Sequence, residues 1–314
     1  MNKGFRIIFF GTPDFAVPTL RALVHSRHRV LTVVTQPDRP KGRGQKLMHT
    51  PVKKAAMEAG LEVFQPESVN TASFYDKMAE IHPDLFVVVA FGQLFSEKLL
   101  KIPSKGTINV HASLLPKYRG PAPIHWAMIK GEKETGVTTM LMAKKMDAGD
   151  MLLSEKTPIK KSDTAGTLHD RLADLGAELL VETLDKFESG KIIPRPQDHT
   201  QSTYAPMLKK EDGHIDWSQP PEKIEYFIRA MSPWPGAFTY FQNRRLKIFK
   251  AVPASGEKNA KPGTVLKSFE NELRIATGQD EAVAILEIQG ASGKRMKIED
   301  FLRGNTVPPE STLL

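Results

Sequence analysis

Cysteine is absent from all 314 residues. That excludes a disulfide framework, a Cys-ligated zinc or iron–sulfur site, and thiol catalysis, and it agrees with a reducing cytoplasm. Also lacking is any run near the roughly 18 apolar residues of a membrane helix. The first apolar stretch, Ile7-Ile8-Phe9-Phe10, is too short for a signal-peptide core and stops at Gly11-Thr12-Pro13. No His-Glu-x-x-His metal pattern or nucleophile elbow occurs, so no metal is expected. The first strand candidate ends without the glycine fingerprint of dinucleotide-dependent oxidoreductases. Internal repeats and low-complexity tracts are missing as well. The expectation is a soluble, cytoplasmic, monomeric protein with no membrane partner.

What is present fits a chain of two domains, since one domain usually takes about 100–200 residues. An apolar share of 40% with 25% charged residues is enough to bury a core. The net charge of +8 is unevenly placed. Residues 1–60 hold 11 Lys and Arg against 3 Asp and Glu, residues 61–208 hold 17 against 19, and residues 209–314 hold 16 against 14. The surplus therefore lies near the N-terminus, which is compatible with a polyanionic partner or with an ordinary solvated basic surface.

Apolar and β-branched runs at 6–10, 29–35, 84–90, 106–110 and 135–142 read as strands. Helical patterns fall between and after them, around 17–24, 55–60, 71–81, 122–130 and 164–188. Strand and helix in alternation predict an α/β domain with a doubly wound, mostly parallel sheet. After Gly190 the period changes. Residues 190–208, rich in proline and polar residues, read as a linker. Beyond it, one helix at 221–231 precedes short strand candidates at 237–241, 245–251, 263–267, 272–276 and 282–288, a spacing that suggests a small β-barrel.

The chemistry-bearing residues are densest between Gly106 and Asp150. If 106–110 is a strand, alternation puts Asn109 and His111 on one face near its carboxyl end, where ligands bind in open α/β sheets. An amide and an imidazole side by side can donate to one oxygen and stabilise an oxyanion in acyl transfer. A carboxylate at Asp147 could orient His111 or favour its charged form. Taken singly, His111 reads more plainly as a structural histidine and Asp147 as a turn residue before Gly149. The segment Gln36 to Lys46, with Arg39, Lys41, Arg43 and Lys46 among prolines and glycines, reads as too broken for regular structure. Alone it is a solvated turn.

The run Asn109-Val110-His111-Ala112-Ser113-Leu114-Leu115-Pro116, with Tyr118-Arg119-Gly120 and Met146-Asp147-Ala148-Gly149-Asp150, resembles the signature of formyltransferases that use 10-formyltetrahydrofolate. Ile8 to Phe15, Gln36 to Gly44, Phe91-Gly92-Gln93, Tyr204 to Met207, Ser232 to Ala237 and Asp300 to Gly304 extend the resemblance over nearly the whole chain. They resemble the branch of that family acting on methionyl-tRNA. The resemblance implies a Rossmann-like catalytic domain over residues 1–189, the linker 190–208, and an OB-like, tRNA-binding domain over 209–314. It makes Asn109, His111 and Asp147 the catalytic groups, and Ser113, Leu114, Leu115, Pro116, Phe91, Gly92 and Gln93 the folate site. Arg39, Lys41, Arg43 and Lys46 would meet the initiator tRNA, with Arg244, Arg245, Lys247, Lys294 and Arg295 contributing from the second domain. The implied co-substrate is 10-formyltetrahydrofolate and the implied acceptor is methionyl-initiator tRNA. An amino-sugar nucleotide is the alternative acceptor, and a non-catalytic RNA-binding protein the alternative of another class.

Overall fold

The protein is described by a computed structural model covering residues 4–41, 46–267, 271–291 and 293–314. The chain divides into two compact units. The first takes residues 1–123, 134–158 and 169–205; the second takes 124–133, 159–168 and 206–314.

In the first unit β1 (Arg6–Gly11), α1 (Val17–Val24) and β2 (Arg29–Val34) are followed by two short strands, β3 (Arg39–Lys41) and β4 (Lys46–Met48). Next come α2 (Pro51–Glu58), β5 (Val63–Phe64), α3 (Ala72–Glu80), β6 (Leu85–Val89), α4 (Glu97–Leu100) and β7 (Thr107–His111). The seven-stranded sheet has the order β5-β2-β1-β6-β7-β8-β9, its last members being β8 (Glu134–Leu141) and β9 (Met151–Pro158). The pairs from β5 through β7 are parallel; β8 and β9 run antiparallel to their neighbours. The sheet is therefore mixed and mostly parallel.

β6 reads Leu-Phe-Val-Val-Val and every residue is buried, as expected of a central strand covered on both faces. Around it Phe10, Phe74, Phe91, Phe95 and Leu99 form one apolar cluster. Helix starts are set locally. Thr50, Thr71 and Ser96 each accept a backbone hydrogen bond, from Lys53, Phe74 and Leu99, caps worth about 1 kcal/mol each.

α5 (Pro123–Ile129) falls almost wholly in the second unit, and α6 (Ala165–Glu188) begins there and continues into the first. The second unit adds α7 (Pro221–Ala230) and an antiparallel sheet in the order β10 (Phe238–Phe241), β11 (Arg244–Ser255), β13 (Glu281–Gln289), β12 (Leu273–Ala276). β14 (Met296–Lys297) pairs with β13 and leads into α8 (Ile298–Gly304).

Three expectations need correction. The segment after β2 is not wholly irregular: Arg39 pairs with Met48 and Pro40 with Leu47 in a two-stranded ribbon. A proline is tolerated there because a two-strand ribbon has a free edge. Residues 263–267 form no strand. Gly263 has φ +87, and only isolated bridges join Thr264 to Thr312 and Val265 to Ile275. The third correction is an omission, since β9 was not anticipated; its burial alternates irregularly and four of its eight residues are exposed.

Candidate active site

β7 is the strand on which the site is built. Its parallel neighbour β6, and β1 beyond it, send their following loops to the same edge of the sheet, the edge where His111 ends β7. Asn109 is half-buried and His111 buried, on one face by alternation. Opposite His111 on β8 stands Thr138. Its hydroxyl donates to the Ser113 carbonyl at 2.7 Å and accepts from the Leu115 backbone N–H at 3.2 Å. The loop leaving β7 is thereby fixed to the next strand.

Asp147 reaches the site by an indirect path. Because β8 is antiparallel, Leu141 ends it opposite Ile108, near the start of β7. The loop that follows must fold back along the sheet to bring Asp147 to His111. There Asp147 Oδ2 lies 3.8 Å from His111 Nδ1, within ion-pair range, and accepts from the Gly120 N–H at 2.8 Å. Asp147 has φ +48 and Tyr118 φ +58, a left-handed backbone that costs of order 1–3 kcal/mol in a non-glycine residue. Gly120, at φ +109, has no room for a side chain, since a Cβ would meet Tyr204 Cε2 at 2.7 Å and the Ala205 carbonyl oxygen at 2.8 Å.

The tautomer of His111 follows from its other partner. Nε2 lies 2.9 Å from the Tyr118 carbonyl oxygen. A carbonyl can only accept, so Nε2 carries a hydrogen and Nδ1 is the nitrogen turned to the Asp147 side. Among the described residues the Asn109 carboxamide has no hydrogen-bond partner.

The folate-site candidates divide by what their side chains already do. Ser113 is fully buried and its hydroxyl donates to the Lys117 carbonyl at 2.7 Å. Phe91 is buried against Phe10 and Phe95, and its carbonyl accepts from Thr12 Oγ1 and Gln36 Nε2. Gln93 accepts from Val69 N and donates to the Glu67 carbonyl. Leu115 is buried, whereas Leu114 and Pro116 are half-buried and Gly92 is exposed. What this edge offers a ligand is therefore the Leu114 and Pro116 side chains and the Gly92 backbone.

Arg39 is exposed on β3. Arg43 lies outside the described residues, as do the side chains of Lys41 and Lys46. The foot of this insert is firmly held. Asp38 accepts from Lys53 Nζ at 2.5 Å, His49 Nδ1 at 2.7 Å and Gln65 Nε2 at 2.8 Å. Burial opposes the Asp38 charge, but the hydrogen bonds from Lys53, Gln65 and His49 outweigh it and hold the carboxyl well below the usual carboxylate range.

In the second unit, β10 and β11 pair Phe238 with Lys247 and Tyr240 with Arg245. Leu246 and Ile248 point inward, leaving Arg245, Lys247 and Phe249 on the other face. The Arg245 guanidinium lies 3.6 Å from the Phe238 ring centroid, and its buried Nε has no hydrogen-bond partner among the described residues. Arg295 lies over Phe249 and is ion-paired to Glu287 at 2.5 Å. Arg244 and Lys294 are exposed.

Two residues of the first site went unassigned in the sequence. Arg119, buried, donates through Nε and Nη2 to Gln197 Oε1 at 3.0 and 2.7 Å. Gln197 was hidden in a segment read as a linker. Residues 195–205 are in fact hydrogen-bonded within the first unit, Arg195 to Met151 and Thr203 and Ala205 to Arg119. Proline-rich polar sequence carries no periodicity that could have revealed this.

This edge of the mixed sheet thus brings together an amide, an imidazole and a carboxylate, those of Asn109, His111 and Asp147, a set able to stabilise developing charge in group transfer. A family model described as Formyl transferase matches residues 5–184, and Formyl transferase, C-terminal domain, matches 207–306. Methionyl-tRNA formyltransferase of Caldanaerobacter subterraneus subsp. tengcongensis is 50% identical over 310 residues, covering 98% of this chain and 99% of its own length. The methionyl-tRNA formyltransferase of Citrifermentans bemidjiense is 48% identical over 310 residues, with 99% and 96% covered. The chain belongs to the methionyl-tRNA formyltransferase family. Among solved structures, an N-formyltransferase from Helicobacter canadensis in complex with folinic acid and dTDP-3-aminofucose shares the fold. Its TM-score is 0.68 at 19% identity, over 91% of this chain and 99% of that one.

Proposed function

We propose that this chain transfers the formyl group of 10-formyltetrahydrofolate to the α-amine of methionyl-initiator tRNA. The observation that carries the reading is the joining of Asn109, His111 and Asp147 on and beside β7 in a chain about half identical, end to end, to methionyl-tRNA formyltransferases. Methionyl-tRNA formyltransferase activity is what that family membership gives. The residue roles are our reading of the geometry.

When bound, the folate supplies a formyl carbon open to attack by an amine. An α-amine has a pKa of about 7.7–8.0, so a neutral fraction exists near pH 7 without a strong base from the protein. Asn109, whose carboxamide is unengaged, and His111 donate to the formyl oxygen as negative charge develops on it. One such donor is typically worth about 2.7–4 kcal/mol. As the bond between the formyl carbon and the folate nitrogen breaks, the proton released from the amine passes by way of Asp147 Oδ2 to that nitrogen, while His111 keeps its Nε2–H on the Tyr118 carbonyl and its Nδ1–H on the formyl oxygen. Leu114, Pro116 and the Gly92 backbone form the edge against which a flat heteroaromatic ring can lie, and Ser113, Leu115, Phe91 and Gln93 hold that edge in shape. The described residues hold no group of three or more His, Asp or Glu able to bind a metal ion.

Residues 1–189 carry the transfer in this reading. The insert from Arg39 to Lys46 and the β10–β11 face, with Arg244, Arg245, Lys247, Lys294 and Arg295, meet the RNA, Arg and Lys acting on phosphates. Activity on charged initiator tRNA implies a cytoplasmic enzyme, and no described helix is long and apolar enough to cross a membrane. The test is to supply formyl-folate with charged initiator tRNA, charged elongator tRNA and an amino-sugar nucleotide. Turnover is expected with the first, at well above the rate for the other two; faster turnover of the sugar nucleotide would overturn the acceptor.

A further inference from the structure

The fold leaves Asp147 a difficult route to His111, along the sheet from the wrong end of β7, and something must hold it there. We infer that Gln197, braced by Arg119, is the positioning residue that sets the Asp147 carboxylate against His111; this rests on the catalytic roles proposed above.

The Gln197 carboxamide is buried and every part of it is used. Its nitrogen donates to the Asp147 carbonyl at 2.9 Å and to the Gly149 carbonyl at 2.8 Å. Its oxygen accepts two hydrogen bonds from the Arg119 guanidinium. A primary amide has two donor hydrogens and one oxygen, so no other side chain of this size offers the same set. The two carbonyls it grips flank Ala148, and they bracket the turn that holds Asp147 at φ +48. Gly149 is pressed onto β8, where a Cβ would come within 1.8 Å of the Leu141 carbonyl oxygen. With Gly149 fixed on β8 and Gln197 gripping both carbonyls, the Asp147 side chain is left one direction, toward Gly120 N–H and His111.

Arg119 makes the brace stiff. Its backbone is paired to Thr203 and Ala205, and its guanidinium, buried and without an ion-paired carboxylate among the described residues, is divided between Gln197 and His199 Nδ1 at 2.9 Å. A buried cation that spends itself on a neutral amide is costly if only stability is served, because a carboxylate would satisfy it better. A carboxylate at position 197, however, could not donate to the Asp147 and Gly149 carbonyls. The choice of an amide is explained by the Asp147 loop and not by Arg119.

The experiment is a double-mutant cycle on formylation of charged initiator tRNA, with Gln197→Met, Gln197→Glu and Asp147→Asn, singly and combined. Gln197→Glu keeps an acceptor for Arg119, so it retains the fold if Gln197→Met does not. Either variant is expected to lower kcat on the order of tenfold to a hundredfold, as a misplacement of about 1 Å can, with KM for formyl-folate and for tRNA nearly unchanged. In the Asp147→Asn background the same change should cost less than twofold, because the group it positions is already gone. The pH profile of kcat should move in both Gln197 variants, which a purely structural role would not cause once folded protein is matched by thermal midpoint. Equal losses in both backgrounds, or kcat within twofold of the parent in a folded variant, would overturn the inference. If Asp147→Asn itself leaves kcat intact, the catalytic assignment fails instead, and the two failures are told apart.

Discussion

Around Asp147 the polar atoms are matched to partners inside the chain, whereas on the β10–β11 face the Arg245 cation rests on an aromatic ring. Asp147, Gly120, Gln197 and Arg119 form one connected set of hydrogen bonds, with positive φ at Tyr118, Gly120 and Asp147. Arg245, by contrast, lies on Phe238, and Arg295 on Phe249 with Glu287 beside it. The first arrangement leaves little freedom, which suits groups that must meet a developing charge without reorganising. The second holds a guanidinium on a ring near the surface, which suits contact with a polyanion. Substitutions in the two regions should therefore differ in kind: loss of rate with affinity kept at one, and graded loss of tRNA affinity at the other.

The largest effect is expected at His111 and Asp147. His111→Ala and Asp147→Asn should each lower kcat by about 10²–10³-fold, the loss usual for one charge-stabilising group, with little change in formyl-folate affinity measured by fluorescence or calorimetry. A rise in KM with kcat kept would put both residues in ground-state binding and remove the contrast.

Next in size is Gly149→Ala. A methyl group within 1.8 Å of the Leu141 carbonyl forces the loop off β8. Overpacking of this kind costs about 1–3 kcal/mol, read as a lower urea midpoint, and kcat should fall further than stability does because Asp147 moves with the loop. The same substitution at Gly190, where an added Cβ would meet no described atom within 4 Å but φ is +68, should cost stability alone.

How much of this could be read beforehand depends on the kind of signal each element leaves. β1 and β6 are continuous apolar runs, and the long α6 is periodic over 24 residues, so burial writes them directly into the sequence. Asn109 and His111 were legible through strand alternation, and Asp147 only because a known signature surrounds it. Gln197 was not legible at all. Its partners are backbone carbonyls 48 and 50 residues away, and a contact of that kind imposes no local pattern. The β3–β4 ribbon was missed for a related reason: Pro40 and the glycines around it read as chain breakers, while the pairing is supplied by backbone groups that any sequence carries.

Smaller again is the effect at Asp38, the foot of the basic insert. Its folded carboxyl titrates below the unfolded value, so it contributes stability above about pH 4 that is lost as pH falls through the folded value. Asp38→Asn should lower stability by about 1–2 kcal/mol at neutral pH, and the gap to the parent should close in acid. Because Gln65 also donates to the Gln36 carbonyl, the variant should weaken KM for tRNA more than KM for formyl-folate. A gap constant down to pH 2 would mean that Lys53 and His49 are not holding an ionised Asp38.

The smallest effect is expected on the β10–β11 face, at Arg245. Arg245→Ala removes the guanidinium from the Phe238 ring, a contact worth about 0.5–1 kcal/mol in partly exposed settings. If the face meets RNA phosphates, the slope of log(kcat/KM) for charged initiator tRNA against log salt should become shallower by about one. Arg245→Lys restores the charge but not the planar stacking, since an ammonium is a compact, strongly hydrated ion. It should return the salt slope while leaving part of the stability loss. Lys247→Ala, paired across the strands with Phe238, should reproduce the change in slope. An unchanged slope in both alanine variants would make this face an ordinary packed surface and leave recognition of the RNA to the insert.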